Sequence, residues 1–294
     1  MQGDIKSARG AIRICPQETA AVEVPLEDVA VILVGTGTRF SAGAMYQLMK
    51  YDVAAVFCDW KGVPIGAVYG MREHSRVGAR HRAQAELSVP RKKNAWGKII
   101  AAKILGQANT LKEINPGRAA ELAALSRAVK SGDPGNLEAR AAKFYWKNLW
   151  GGEEFTRIPG NGQGKLSSSR NAQLDYAYTI LRGYGIRAVL AAGLAPSLGV
   201  FHSGRSNNFA LVDDLIEPLR PAVDARVAQL PSDSHMEDGD TRKALVAAAT
   251  TVFTANGYTI PTVFEEFAQT YAKYVEGDSK FLTVPIWEGL ADAG

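Results

Sequence analysis

Residues 193–221 have the sequence G-L-A-P-S-L-G-V-F-H-S-G-R-S-N-N-F-A-L-V-D-D-L-I-E-P-L-R-P, a turn-rich loop followed by a helical pattern. The apolar residues recur at helical spacing at Phe209, Val212, Leu215, Ile216 and Leu219. Either Asn207 or Asn208 can cap this helix, because a side-chain oxygen there can accept a first-turn N–H. Pro218 and Pro221 must kink or end it. The stretch therefore predicts an interrupted amphipathic helix from about residue 207 to residue 228.

Ionisable side chains are concentrated in the same stretch, which contains His202, Asp213, Asp214 and Glu217. On a helix the three acids are neighbours, since Asp213 and Glu217 are four residues apart and Asp214 and Glu217 three. Like charges placed in this way repel, and at the edge of a buried face they need a cation. A metal ion or an arginine such as Arg220 would supply it. The alternative is a loop histidine bonded to backbone, with the acids solvated.

A second candidate site lies earlier, in the sequence N-L-E-A-R-A-A-K-F-Y-W of residues 136–146. Helical spacing places Glu138 on the side of Ala141, Ala142 and Tyr145, away from the lysines of this segment. Small residues allow other elements to approach a carboxylate closely. Two other roles for Glu138 are an ion pair with Arg140 and a favourable charge at the helix N-terminus.

Composition restricts the class of protein. The chain has 294 residues, 46% of them apolar, which is enough for a sizeable core. It has no apolar run of about twenty residues, and its first residues lack a hydrophobic signal core. Its two cysteines form no CxxC pair and are expected to be reduced. These features predict a folded cytoplasmic protein rather than an exported or membrane-spanning one.

The pattern of the chain changes between residues 70 and 90. Strand-like segments occur at 11–15, 21–24, 29–34, 54–58 and 63–69, with one short helix capped by Ser41. Helical patterns follow at 91–111, 116–129, 134–150, 168–182, 186–192, 207–228, 241–254 and 260–275, with Gly106, Gly132 and Gly183 as candidate breaks. We therefore predict an α+β protein: a small N-terminal β-sheet domain, residues 1–86, followed by a larger all-α domain, residues 87–294.

Basic residues are unevenly distributed, although the net charge is only +4. They crowd into residues 72–82 and continue along the next helix through Lys98 and Lys103. A solvated face is the simpler interpretation, and contact with phosphates is the alternative. A glycine-rich segment at 157–169 adds more basic residues but lacks the pattern of a P-loop. The candidate DNA contacts are Arg72, Arg76, Arg80, Arg82, Lys165, Arg170 and Arg205.

Taken together, several segments resemble one known family, the nearly universal CRISPR adaptation nuclease-integrase, especially the form that accompanies type II systems. The matching segments occur in the family's order and cover most of the chain. They are residues 24–30, 57–59, 136–142 with Tyr145 and Trp146, 171–178, 193–199 with His202, and 213–221.

The resemblance implies a function and a set of site residues. It implies a metal-dependent DNA endonuclease and integrase that inserts foreign DNA fragments into a CRISPR array by transesterification with a 3′-hydroxyl. Glu138, His202 and Glu217 would be the catalytic residues and the ligands of Mg²⁺ or Mn²⁺, with Asp213 or Asp214 as an accessory acid. The alternatives are a structure-specific nuclease for branched DNA and a non-catalytic DNA-binding scaffold.

The resemblance also implies partners. The N-terminal domain would form a homodimer, and two dimers would be bridged by one dimer of the small second CRISPR-associated protein. Double-stranded DNA, as captured fragments and as the CRISPR repeat, would be the substrate.

Overall fold

The computed structural model describes residues 2–59, 64–70, 75–151, 155–158, 160 and 169–290. The chain divides into two compact units, the first ending at Ser75 and the second beginning at Arg76. The predicted fold class is confirmed: the first unit is rich in strands and the second is helical. None of the described helices is both long enough and apolar enough to span a membrane.

The N-terminal unit consists of two small sheets and one helix. Its elements are β1 (Gly3–Ala8), β2 (Ala11–Pro16), β3 (Val22–Pro25), β4 (Val31–Val34), β5 (Thr38–Phe40), α1 (Ala42–Lys50), β6 (Ala54–Cys58) and β7 (Pro64–Val68). One sheet has the strand order β3-β2-β1-β5 and the other β4-β6-β7. Strands β1 and β5 are parallel, as are β4 and β6, and the other pairs are antiparallel. Ile12, Leu26, Val34 and Leu48 form the centre of its core.

Most of this unit agrees with the predicted strands. Ser41 caps α1 as expected, its Oγ accepting from the Ala44 N–H at 3.1 Å. Strands β1 and β5 were not predicted, because their short, polar-rich sequences lack an apolar alternation. Residues 60–63, where a hairpin turn was predicted, lie outside the described residues.

The C-terminal unit contains nine described α-helices. They are α2 (Val77–Ala85), α3 (Val89–Ile114), α4 (Pro116–Ala128), α5 (Leu137–Leu149), α6 (Ser169–Ala191), α7 (Ala210–Leu215), α8 (Arg220–Ala228), α9 (Gly239–Ala248) and α10 (Ile260–Glu276). Helix α2 was not predicted. Its Arg80 and Gln84 bond to the Ala192 and Ala195 carbonyls, which places α2 in the helical unit and the division between units at Ser75 rather than at residue 86.

Two predicted helix breaks are absent. Helix α6 is continuous through Gly183, and α3 is continuous through Gly106. Gly106 instead allows close packing, because a Cβ there would lie 3.1 Å from Cγ of Pro221 and 3.2 Å from Cβ of Trp287. Gly132 does adopt a positive φ of 77°, as the end of a helical pattern requires.

The helix predicted at residues 207–228 is interrupted, as its prolines require. It is divided into α7, a 3₁₀ turn at Glu217–Leu219 and α8, because Pro218 has no N–H to continue the α-helical ladder. The predicted asparagine cap is wrong in detail. Asn207 Oδ1 accepts from the Phe209 N–H at 3.0 Å, outside the helix, and α7 begins at Ala210 without a side-chain cap.

Candidate functional site

Glu138 is positioned by the start of α5. Asp133 caps this helix, with Oδ1 accepting from the Leu137 N–H and Oδ2 from the Glu138 N–H, both at 2.9 Å. Asn136 takes a left-handed conformation, φ 47°, so that the chain can turn into the helix. Glu138 therefore lies in the first helical turn, where the helix dipole favours a negative charge. Its side chain is 28% exposed.

A buried lysine joins Glu138 to Glu217. Lys103 Nζ lies 2.7 Å from Glu138 Oε1 and 2.6 Å from Glu217 Oε2. The prediction that Lys103 lies on a basic, solvated face is wrong, since only 9% of this residue is exposed. Burial alone would lower the pKa of Lys103, but the charges of Glu217 and Glu138 outweigh it and raise the pKa. The lysine is therefore cationic and offsets the repulsion between the two carboxylates.

Glu217 is ionised although it is buried. Burial opposes its charge, but Arg220 and Lys103 lower its pKa below the ordinary value. Nη2 of Arg220 lies 3.2 Å from Oε1 of Glu217. Glu217 Oε2 lies 2.6 Å from Lys103 Nζ, a charge-assisted contact between a buried carboxylate and a buried ammonium. Each carboxylate oxygen has two lone pairs, so one contact with a lysine leaves Oε2 able to accept a second ligand.

Asp214 holds the loop that carries His202. This carboxylate is fully buried. Its Oδ2 accepts from the N–H groups of Val200 and Phe201 at 2.6 and 2.9 Å, and its Oδ1 lies 3.3 Å from the His202 N and 2.6 Å from His202 Nδ1. Because the carboxylate only accepts, Nδ1 carries the proton and a neutral imidazole keeps a lone pair on Nε2.

The electrostatic setting of His202 links it to the carboxylate pair. The hydrogen bond that His202 donates to Asp214 raises the pKa of His202, and partial burial opposes this shift. The charges of Asp214 and Glu217 raise the pKa further. The His202 side chain is 45% exposed. Almost half of the imidazole surface is therefore accessible to solvent or to a ligand.

Asp213 has a different partner although it adjoins Asp214 in sequence. Arg182 of α6 donates two hydrogen bonds to the Asp213 carboxylate, from Nε to Oδ1 at 2.8 Å and from Nη2 to Oδ2 at 2.9 Å. Asn207 Nδ2 donates to the same carboxylate at 2.8 Å. The predicted need of the acids for a cation is met by the chain itself: Arg182 neutralises Asp213, while Lys103 and Arg220 neutralise Glu217.

The part of the chain that the structure describes contains no preformed metal site. There, no three side chains of His, Cys, Asp or Glu are close enough together to hold a metal ion. The arrangement of Lys103 explains this, because its ammonium lies between the two carboxylates. The donor set itself, two carboxylates and one imidazole, has the chemistry that Mg²⁺ and Mn²⁺ sites use.

Comparison with known proteins identifies the family. Residues 1–251 match the family described as CRISPR associated protein Cas1. The chain belongs to the Cas1 family. A CRISPR-associated endonuclease Cas1 of Neisseria meningitidis is 38% identical over 209 residues, which are 70% of this chain and 66% of that protein's length. The resemblance derived from the sequence is thereby confirmed.

Solved structures share the Cas1 fold. A casposase bound to its integration product superimposes with a TM-score of 0.77 at 17% identity, covering 98% of this chain and 91% of that chain. A Cas6-RT-Cas1–Cas2 complex gives a TM-score of 0.73 at 16% identity, covering 99% of this chain and 35% of that chain. At these identities the likeness establishes the fold alone.

The basic residues proposed as DNA contacts have diverse environments in this Cas1 chain. Arg82 and Arg205 are exposed. Arg76 is exposed as well, but it forms an ion pair with Glu276 at 2.9 Å. Arg72 and Lys165 lie outside the described residues.

Two other candidates serve the fold of the protein. Arg80 is buried, with bonds to Glu276 at 3.0 Å and to the Ala192 carbonyl at 2.6 Å, so its proposed DNA contact is corrected to a structural role. Arg170 is half-buried; it donates to the Leu230 carbonyl at 3.0 Å and lies over the Trp150 ring.

Sequence reasoning missed Lys103, and a signal for it was present. Buried side chains of α3 recur at helical spacing as Trp96, Ile99, Lys103, Gln107 and Thr110. A lysine on such a stripe must be paired, because an isolated buried ammonium is very costly. The position of Lys103 in the apolar stripe therefore indicated acidic partners from other elements.

Proposed function

We propose that this chain is a metal-dependent DNA endonuclease and integrase that inserts DNA fragments into a CRISPR array by attack of a 3′-hydroxyl on a phosphodiester. One observation supports this most directly. The carboxylates of Glu138 and Glu217, from two separate elements, meet at one buried cation, and Asp214 fixes the neighbouring His202 in the orientation of a ligand.

Glu138, Glu217 and His202 are the residues that would hold Mg²⁺ or Mn²⁺. The ionised state of Glu217 fits this role, as does the lone pair that a neutral imidazole keeps on Nε2 of His202. When bound, the metal would supply Lewis-acid polarisation of the scissile phosphate and stabilise the charge that develops on its oxygens.

The other residues of the site position these donors. Asp214 sets the tautomer of His202 and holds three successive N–H groups of its loop, which restricts the movement of the imidazole. Lys103 and Arg220 keep Glu217 charged. We assign Asp213 a supporting role, because both its oxygens bond to Arg182 and it is not free to take part in the chemistry.

The proposed reaction exchanges one phosphodiester for another. The oxygen of the attacking 3′-hydroxyl forms a new P–O bond, its proton passes to solvent or to a basic group, and the leaving 3′-oxygen of the target strand takes up a proton. The number of phosphodiester bonds is conserved, so no ATP is needed. The same site with water as the nucleophile would act as an endonuclease.

The proposed assembly is a homodimer that works with a small second CRISPR-associated protein on double-stranded DNA. The structural similarity to a Cas6-RT-Cas1–Cas2 complex and to a casposase bound to its integration product supports these partners. Exposed Arg82 and Arg205 are the described residues that we retain as DNA contacts.

The experiment that tests the function is joining of a labelled duplex with a 3′-hydroxyl to a plasmid that carries a repeat, in Mn²⁺ and with the small partner. We expect joining by the wild type, loss of joining in Glu138→Gln and His202→Ala, and retention in the control Glu121→Gln. Glu121 is a suitable control because it is an exposed acid paired with Arg118 on the neighbouring helix α4.

The same assay separates the alternatives. A structure-specific nuclease would cut branched DNA without the partner or the repeat, and would join nothing. A DNA-binding scaffold would show the same behaviour in the wild type and in Glu138→Gln. Either result would contradict the proposed integrase.

A further inference from the structure

An exposed aromatic ring lies beside His202. Phe201 is 56% exposed, whereas Trp96, on which it stacks, is only 3% exposed. The two ring centroids are 4.4 Å apart and the planes are nearly parallel, at 5°. The accessible surface of this aromatic pair therefore belongs to Phe201.

The ring of Phe201 is held in place from two sides. Its backbone N–H donates to the buried carboxylate of Asp214, the same group that orients His202. Its ring also meets the imidazole of His202 edge-on, with centroids 5.6 Å apart and planes at 83°. A rigid exposed aromatic ring loses little conformational entropy when a planar ligand stacks on it.

The loop that continues from Phe201 is polar and contains one basic residue. The next four residues after His202 are Ser203, Gly204, Arg205 and Ser206, all exposed. A protein partner would need a wider apolar patch, whereas a planar base attached to a phosphate fits a single exposed aromatic ring on a polar loop that also carries an exposed arginine.

We propose that Phe201 is a stacking platform for a nucleobase that lies next to the phosphate reacting at His202. The base is one that has left its own stack, at a frayed end or at the point of strand exchange. This inference rests on the proposed function and deepens it: Phe201 positions the DNA strand, and Trp96 supports Phe201 from behind.

The test combines a protein change with a DNA change at the same contact. Phe201→Leu keeps an apolar side chain but removes the aromatic face, and Phe201→Trp keeps the face. We expect Phe201→Leu to lower joining about ten-fold, in line with the loss of one base–aromatic stack, and Phe201→Trp to retain it. An abasic nucleotide is then moved step by step along the strand beside the reacting phosphate.

One position of the abasic nucleotide is expected to stand out. At that position the abasic nucleotide should lower joining by the wild type about ten-fold. It should not lower joining by Phe201→Leu any further, because the stacking contact is already absent in that variant. A duplex with 2-aminopurine at that position gives a readout independent of joining. Its fluorescence should be quenched in complexes of the wild type and Phe201→Trp, and restored with Phe201→Leu.

Two results would overturn the proposal. In the first, the losses of joining caused by Phe201→Leu and by the abasic nucleotide are additive at every position, and 2-aminopurine fluorescence is equal in all complexes. The other is a Phe201→Leu chain that joins DNA poorly because it no longer associates with its own copy or with the small partner in sedimentation, while 2-aminopurine stays quenched as in the wild type. That result would place a protein on Phe201. A wild type that joins no DNA contradicts the proposed function instead, while the fluorescence still tests the stack.

Discussion

Asp213 and Asp214 are adjacent, yet the structure gives them different surroundings. Asp214 is fully buried and accepts from the backbone of residues 200–202 and from an imidazole. Asp213 lies nearer the surface and faces a guanidinium and an amide. Their positions on α7 differ by one residue, which rotates the side chains by about 100° around the helix axis.

Asp214→Asn should therefore be more damaging than Asp213→Asn. An asparagine at 214 presents N–H donors where the loop also offers donors, so buried groups are left unpaired. We expect a loss of about 3 kcal/mol in the free energy of unfolding, against about 1 kcal/mol for the partly exposed Asp213–Arg182 pair. Urea unfolding in the presence of a chelator measures both. Equal losses would contradict the assigned roles.

Lys103→Met tests the buried lysine. The change leaves two carboxylates facing each other without the ammonium, and we expect a loss of about 3–5 kcal/mol in the free energy of unfolding without divalent metal. Added Mn²⁺ should raise the melting temperature of Lys103→Met more than that of the wild type, because a divalent cation then replaces the missing charge.

Lys112→Met, a change on the exposed end of α3, is the matched control. It should leave both the stability and the response to Mn²⁺ unchanged. If Lys103→Met behaves like this control, the inference that Lys103 and a divalent metal occupy the same place between Glu138 and Glu217 is contradicted.

Residue-level prediction from sequence was partly possible. The sequence singled out Glu138, His202 and Glu217 because each lies at an apolar edge or in a turn-rich loop. The structure brings Glu138 and Glu217 to one lysine, and the role of the three as metal ligands stays a prediction. The assignment of Asp213 to Arg182 and of Lys103 to two acids depends on tertiary contacts between residues 31 or more positions apart. Local periodicity carries no information about such pairs.

At the level of elements, α6 shows how tertiary packing overrides a helix breaker. Gly183 and Gly185 both lie in this helix, and the predicted break does not occur. At Gly185 an added Cβ would lie 2.7 Å from Cζ of Phe264 and 2.7 Å from Cγ1 of Val212. The glycine thus allows α7 and α10 to approach α6, whose Arg182 binds Asp213.

Gly185→Ala should destabilise the chain by about 1–3 kcal/mol, although alanine is the better helix former, because the clash exceeds the gain in helix propensity. Gly239→Ala in the first turn of α9 is the control, since no atom lies within 4 Å of its added Cβ. We expect that control to be neutral or slightly stabilising. Thermal unfolding compares the two, and a stabilised Gly185→Ala would refute the packing argument.

At the scale of the whole molecule, the change of pattern along the sequence was sufficient to predict the fold class. Alternation with turn residues predicted the strands, and period 3.6 predicted the helices. The predicted boundary between the units, after residue 86, places α2 in the first unit, whereas the structure places it in the second. The basic, weakly amphipathic sequence of α2 gave no sign that Arg80 and Gln84 would be buried.

Global stability should also depend on pH through Asp224. Burial raises the pKa of this carboxyl to about 7, although the hydroxyl of Tyr178 donates to it and opposes the shift. In the unfolded chain its pKa is near 4. Between these values the folded chain binds a proton that the unfolded chain has lost, so this group makes stability fall as pH rises through the window.

Asp224→Asn removes that contribution because an amide does not ionise. We expect its free energy of unfolding to fall less steeply than that of the wild type between pH 4 and 7, and the difference to stay constant above pH 7. Asp233→Asn, at an exposed acid, serves as the control. If the free energies of unfolding of the wild type and Asp224→Asn change with pH in parallel between pH 4 and 7, Asp224 does not have the raised pKa inferred here.

The central claim is that Glu138, His202 and Glu217 together hold a catalytic divalent metal. Titration of Mn²⁺ into the protein, followed by electron paramagnetic resonance, measures this directly and without DNA. We predict saturable binding by the wild type and by Asp213→Asn, and its loss in Glu138→Gln, His202→Ala and Glu217→Gln. Binding that is unchanged in these three variants would contradict the claim and place the metal elsewhere.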